Sequence, residues 1–196
     1  MLDGNAWPPE IRRASCEAVY AQVSTGQIDA GLTIKKLKYP GTETRQVFEE
    51  RLLVLAASDL FPERKQISVE ELDPSKELRI ASRADPSVGW DLAFQQWHEA
   101  VFSSLVSPAV FAGSFSILTH FLGAPRTWAV MPAFLARHYA DISECHILEM
   151  QEQAPLWHGY FVTKEHLAEP KKAQIQWLLR NISPDGTDEP EKSADI

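Results

Sequence analysis

The chain has 196 residues, 44% of them hydrophobic and 23% charged, which suits one sizeable core or two small lobes and excludes general disorder. Its 19 basic and 27 acidic residues leave a formal net charge of -8, so it repels a polyphosphate backbone and direct nucleic-acid binding is not expected. Cys16 and Cys145 form no Cys-x-x-Cys pair and suit plain thiols in a reducing compartment; with no basic start and apolar run of a signal peptide, the expected location is the cytoplasm.

In chain order, Cys16, Val19, Tyr20 and Val23 recur at helical spacing, with Ser15 placed to cap the start and Gly26 to stop the end. The spacing predicts one amphipathic helix. Ile28, Ala30, Leu32 and Ile34 then alternate, so the period changes from 3.6 to 2 and a strand over 28–34 is predicted. Tyr39-Pro40-Gly41 marks a turn before an extended loop. Leu52–Ala57 is a continuous apolar run, as in a strand covered on both faces by helices.

Ser68 and Glu71 have the spacing of a capping box, and a strand over 78–82 precedes an Asp85-Pro86 turn. From Ser87 a helix is predicted to bury Trp90, Phe94, Trp97 and Val101 on one stripe. Residues 101–125 hold no Asp, Glu, Lys or Arg, but Pro108 and Gly113 interrupt them, so a strand over 109–112 and a helix opened by Gly113-Ser114 are expected instead of a membrane span. Gly123 closes that helix, and strands follow at 128–131 and 157–163. A last helix starts at Pro170 and carries Ile175, Leu178, Leu179 and Ile182 on one face; residues 184–196, rich in Pro, Gly, Asp and Glu, read as a disordered tail. The alternation of strands and helices defines the fold class as α/β.

Three motifs in this order carry a resemblance: Gly26-Gln27-Ile28-Asp29-Ala30-Gly31-Leu32, then Phe48-Glu49-Glu50-Arg51-Leu52-Leu53-Val54-Leu55, then Ile67-Ser68-Val69-Glu70-Glu71-Leu72. Gly113-Ser114-Phe115-Ser116 and Trp128-Ala129-Val130-Met131-Pro132 extend it. The pattern resembles the effector-binding domain of LysR-type transcriptional regulators over roughly residues 11–183. The resemblance implies a two-lobed, periplasmic-binding-protein-like (type II) fold with a small ligand in the cleft between lobes. It places the crossings at 56–59 and 160–163, lobe one at 1–57 plus 162–183 and lobe two at 58–161. The family's helix-turn-helix, and the first strand and helix of lobe one, have no counterpart here, so lobe one is expected to be incomplete. The expected function is effector sensing and oligomerisation without a DNA-binding domain of its own, as a dimer or larger species. The alternatives are a solute-binding protein or its remnant, and a small α/β hydrolase.

By the same resemblance Ser114 and Ser116 stand at a helix start beneath the cleft and could grip an organic anion, with Ser82 and Ser87 framing the matching loop; helix capping alone would also explain these serines. Lys35, just after the 28–34 strand, is where strand ends of α/β sheets face a ligand, though a solvated lysine fits too. Gly113-Ser114-Phe115-Ser116-Ile117 lacks the Gly-x-Ser-x-Gly elbow of a hydrolase. Neither His98 with Glu99 nor His146 with Glu149 supplies two histidines at metal-ligand spacing, so no metal, cofactor or catalytic role is expected.

Overall fold

A computed structural model describes residues 10–80, 90–102 and 106–182. In chain order the elements are α1 (Cys16–Thr25), β1 (Ala30–Thr33), β2 (Thr42–Glu50), β3 (Leu52–Ala57), β4 (Gln66–Ile67), β5 (Leu78–Ile80), α2 (Leu92–Phe102), β6 (Val110–Ala112), α3 (Phe115–Leu118), β7 (Trp128–Pro132), α4 (Ala133–Ile142), β8 (Cys145–Met150), β9 (Trp157–Lys164) and α5 (Glu169–Ile182). Two compact units share them: Met1–Phe48 with His158–Ile196, and Glu49–Trp157. The chain therefore passes between units within β2 and returns at the start of β9, earlier on both counts than the expected divisions at 57 and 162. The reason is β3, whose residues are committed to pairing with β7 and β8.

In the first unit Ser15 Oγ accepts the Ala18 N–H at 3.2 Å, and Gly26 ends α1 at φ 75°, the left-handed conformation that glycine adopts without strain. Val19, Tyr20 and Val23 bury against Val162 of β9. The sheet runs β1-β9-β2, with β1 antiparallel to β9 in the register Leu32 to Phe161. The 28–34 strand is thus shorter than the alternation predicts, because Ile34 and Lys35 bend away to follow Tyr20, whose hydroxyl donates to the Lys35 carbonyl at 3.0 Å. The expected extended loop before residue 52 is largely strand β2.

The second unit is built on a four-stranded sheet in the order β4-β8-β3-β7, with every residue of β3 buried. Burying a Leu or Val side chain contributes about 1.5–3 kcal/mol, so this strand anchors the unit. A parallel pair, β5 with β6, continues from it through a bridge between Glu77 and Trp128. Val69–Glu71 is a 3₁₀ turn whose preceding Ser68 N–H donates to Glu71 Oε2, the capping half that the sequence foretells.

Helix α2 differs from the expected stripe. Trp90, Phe94, His98 and Phe102 are buried, while Trp97 and Val101 are only partly covered. A histidine can take the core position because a buried carboxylate receives it, as described below. Residues 81–89 and 183–196, which include Ser82, Ser87 and the expected tail, lie outside the described residues.

Candidate functional site

Ser114 and Ser116 lie just past the C-terminal end of β6, where Ala112 is in register with Ile80 at the end of β5. Strand ends of this kind are where open α/β sheets hold ligands. Ser114 has extended backbone at φ -164° and caps α3: Ile117 N–H donates to its Oγ at 3.4 Å and to its carbonyl at 3.2 Å. This cap uses one acceptor position of the hydroxyl and leaves its O–H free to donate, so capping and ligand contact are compatible. Ser116 is exposed and its carbonyl accepts the Thr119 hydroxyl at 2.8 Å. Beside them, a Cβ placed on Gly113 would meet nothing within 4 Å, so the backbone here fronts open space.

The expected helix is a single turn, Phe115–Leu118, followed by a 3₁₀ turn over Thr119–Phe121, and Gly123 closes the segment at φ 80°. So short an α-helix supplies little of a macrodipole; anion recognition here would rest on hydroxyl and backbone donors.

Lys35 belongs to the first unit. Its Nζ lies 3.6 Å from Glu17 Oε1 and its side chain is 23% exposed, so it is neither fully solvated nor without a counter-charge. Its backbone is fixed by Tyr20 and Thr33, whose hydroxyls each donate to the Lys35 carbonyl at 3.0 Å. Tyr20 OH also accepts from Leu37 N–H at 3.0 Å and Thr44 Oγ1 at 3.3 Å, filling its bonding capacity. The structure thus gathers the two serines on one turn and sets Lys35 in the other unit.

Sequence reasoning missed the most deeply held polar cluster. Glu77, 2% exposed, receives Arg79 Nε at 2.9 Å and Nη2 at 2.5 Å on Oε2, and sits 2.8 Å from His98 Nε2 on Oε1. These contacts satisfy His98 and remove it from any metal pair with Glu99. His146 and Glu149, three apart on β8, fall on opposite faces of the strand, and Glu149 pairs with Arg51 at 3.0 Å. Among the described residues no group of three or more His, Cys, Asp or Glu could hold a metal ion, and no helix is long and apolar enough to cross a membrane.

Two open grooves lie elsewhere, one of about 850 Å³ bordered by Arg64, Gln66, Ile147 and Glu149, the other of about 420 Å³ bordered by Lys36, Lys38, Thr42 and Thr44. Neither is lined by Ser114, Ser116 or Lys35.

The family model of the LysR substrate binding domain matches residues 8–182. No curated protein matches the sequence significantly. Among solved structures, the BenM effector-binding domain with its effector benzoate is similar at a TM-score of 0.68 and 14% identity, covering 93% of this chain and 82% of that one. An OxyR mutant from Porphyromonas gingivalis gives 0.69 and 13%, covering 98% and 88%. The regulatory domain of MexT, a transcriptional activator in Pseudomonas aeruginosa, gives 0.63 and 14%, covering 85% and 82%. At such identities the likeness is one of fold.

Proposed function

The chain belongs to the LysR substrate-binding domain family, and on that premise we propose that it senses a small organic anion and passes its occupancy to the DNA-binding part of a transcriptional regulator. The observation that carries this reading is the family match across residues 8–182, joined to two α/β units of the family's fold. Its work is binding, without covalent chemistry, in the cytoplasm where regulated DNA lies.

A carboxylate is the favoured ligand class. Ser114 keeps a free O–H to donate, Ser116 stands exposed one helical step away, and Gly113 leaves room beside them. Lys35 supplies positive charge in the other unit, and Ser82 and Ser87 follow β5 as Ser114 follows β6. The likeness to a domain that holds benzoate supports the same class. Ligand preference for one conformation over another would then shift the population of a self-associated regulator, which is how occupancy becomes a signal. The net charge of -8 assigns DNA contact to another part of the regulator.

Isothermal titration with benzoate and a set of aliphatic and aromatic carboxylates tests the reading. Saturable binding of one or more of these acids, weakened in Ser114→Ala, is the expected result. Absence of heat from every acid, with binding only of uncharged ligands, would refute the anion assignment.

A further inference from the structure

We propose that the outer edge of β1 is a self-association site, where the same strand of a second copy pairs antiparallel about Leu32. Among the described residues β1 is the end strand of its sheet, with β9 on one side and no strand on the other. Ala30-Gly31-Leu32-Thr33-Ile34 carries no charge and no proline, the usual devices that keep an edge from pairing with another chain. Leu32 is 46% exposed although Phe161, its registered neighbour on β9, is 4% exposed, so the apolar layer stops abruptly at this edge.

Charge at the two ends of the segment selects the occupant. Asp29 precedes the apolar stretch and Lys35 follows it, each three residues from Leu32. Antiparallel pairing about Leu32 sets Gly31 opposite the partner's Thr33 and directs Asp29 towards the partner's Lys35 at both ends of the contact. A parallel pairing in the same register would place like charges together and lose this match. Asp29 already holds Lys171, and Lys35 already neighbours Glu17, but a carboxylate and an ammonium each keep capacity for a second opposite charge. The segment is thus complementary to itself, which a twofold contact requires.

This gives a surface to the self-association in the proposed function and rests on that reading only there; effector binding is measured independently, so either can fail alone. Cross-linking in a Cys16→Ser, Cys145→Ser background tests it. Residues facing each other across an antiparallel pair have Cα atoms about 4.5–5.5 Å apart, within the range of about 4.4–6.8 Å that a disulfide spans. Under mild oxidation Leu32→Cys should form a disulfide-linked dimer about tenfold faster than Ala30→Cys or Ile11→Cys, and Leu32→Lys should shift the monomer–dimer midpoint in sedimentation velocity by about tenfold towards monomer. A dimer in which Leu32→Cys links no faster than Ile11→Cys, which is 88% exposed in the native residue, would overturn the proposal. So would a monomer at all concentrations, including one whose Leu32 amide resists hydrogen exchange because the chain's own residues cover the edge.

Discussion

Glu77 Oε1 and His98 Nε2 lie 2.8 Å apart with both side chains buried, joining β5 to α2 across 21 positions of sequence. Arg79 occupies the other carboxylate oxygen. Removing one member of such a group leaves a charge or donor buried without its partner, and this costs more than the intact group contributes. Glu77→Gln should therefore destabilise the protein by about 3–5 kcal/mol in chemical denaturation, and His98→Leu by about 1–3 kcal/mol. The double variant should fall short of the sum by more than about 0.5 kcal/mol. Additive losses would show that the contact carries no coupling.

Gly159 of β9 allows Phe48 of β2 to lie against the strand: a Cβ at Gly159 would stand 2.0 Å from the Phe48 ring. Gly159→Ala should cost about 1–3 kcal/mol by overpacking, and Phe48→Leu in the same chain should recover part of it. Equal destabilisation by Gly159→Ala with either residue at 48 would contradict this packing.

Three carboxylates tie down the segment that follows β3. Arg64 and then the Ser68 N–H hold Glu71 below the usual carboxylate range, and the Ser75 hydroxyl and N–H do the same for Asp73. Desolvation raises Glu152, but its bonds from Ser68 Oγ and Val69 N–H outweigh that and leave it lowered. A carboxylate lowered in the folded state adds stability that is present above its unfolded value and lost as pH falls through its folded one. Stability should then hold steady above the ordinary carboxylate range of about 4 and decline below it. Glu71→Gln should flatten that decline in denaturation midpoints taken from pH 6 to pH 3. An unchanged slope would mean that these bonds do not persist in solution.

Tyr20→Phe removes a hydroxyl that bonds Lys35, Leu37 and Thr44. A loss of about 1–3 kcal/mol is expected from the orphaned groups. Faster amide exchange at Leu37 should accompany it, and exchange there no faster than in the native chain would remove Tyr20 from this role.

Local signals in the sequence were the legible ones. Ser15 and Gly26 bound α1, the unbroken apolar run gives β3, and the spacing of Ser68 and Glu71 gives a capped turn, because each depends on neighbours a few positions apart. β2 was not legible: Glu43, Arg45, Glu49 and Glu50 make it look like loop, and only its place beside β9 makes it strand. The buried face of α2 was misjudged for a similar reason, since His98 enters the core only when Glu77 is there to receive it. At the candidate site the helix start at Ser114 was legible and the length of the helix was not. Ile117 and Leu118 N–H close on the Ser114 carbonyl at 3.2 and 3.1 Å, and the turn then tightens to 3₁₀.

The central claim, that this chain binds a small organic anion with Ser114 among the contacts, is tested most directly by thermal unfolding of the native chain and Ser114→Ala, each with and without a saturating carboxylate. Ligand at about one hundred times its Kd should stabilise the native chain by about 2.7 kcal/mol. Ser114→Ala should lose more of that ligand-dependent gain than the cap deletion, typically about 1 kcal/mol, removes from the ligand-free protein. An identical loss with and without ligand would reduce Ser114 to a helix cap, and no stabilisation of the native chain by any carboxylate would contradict the account itself.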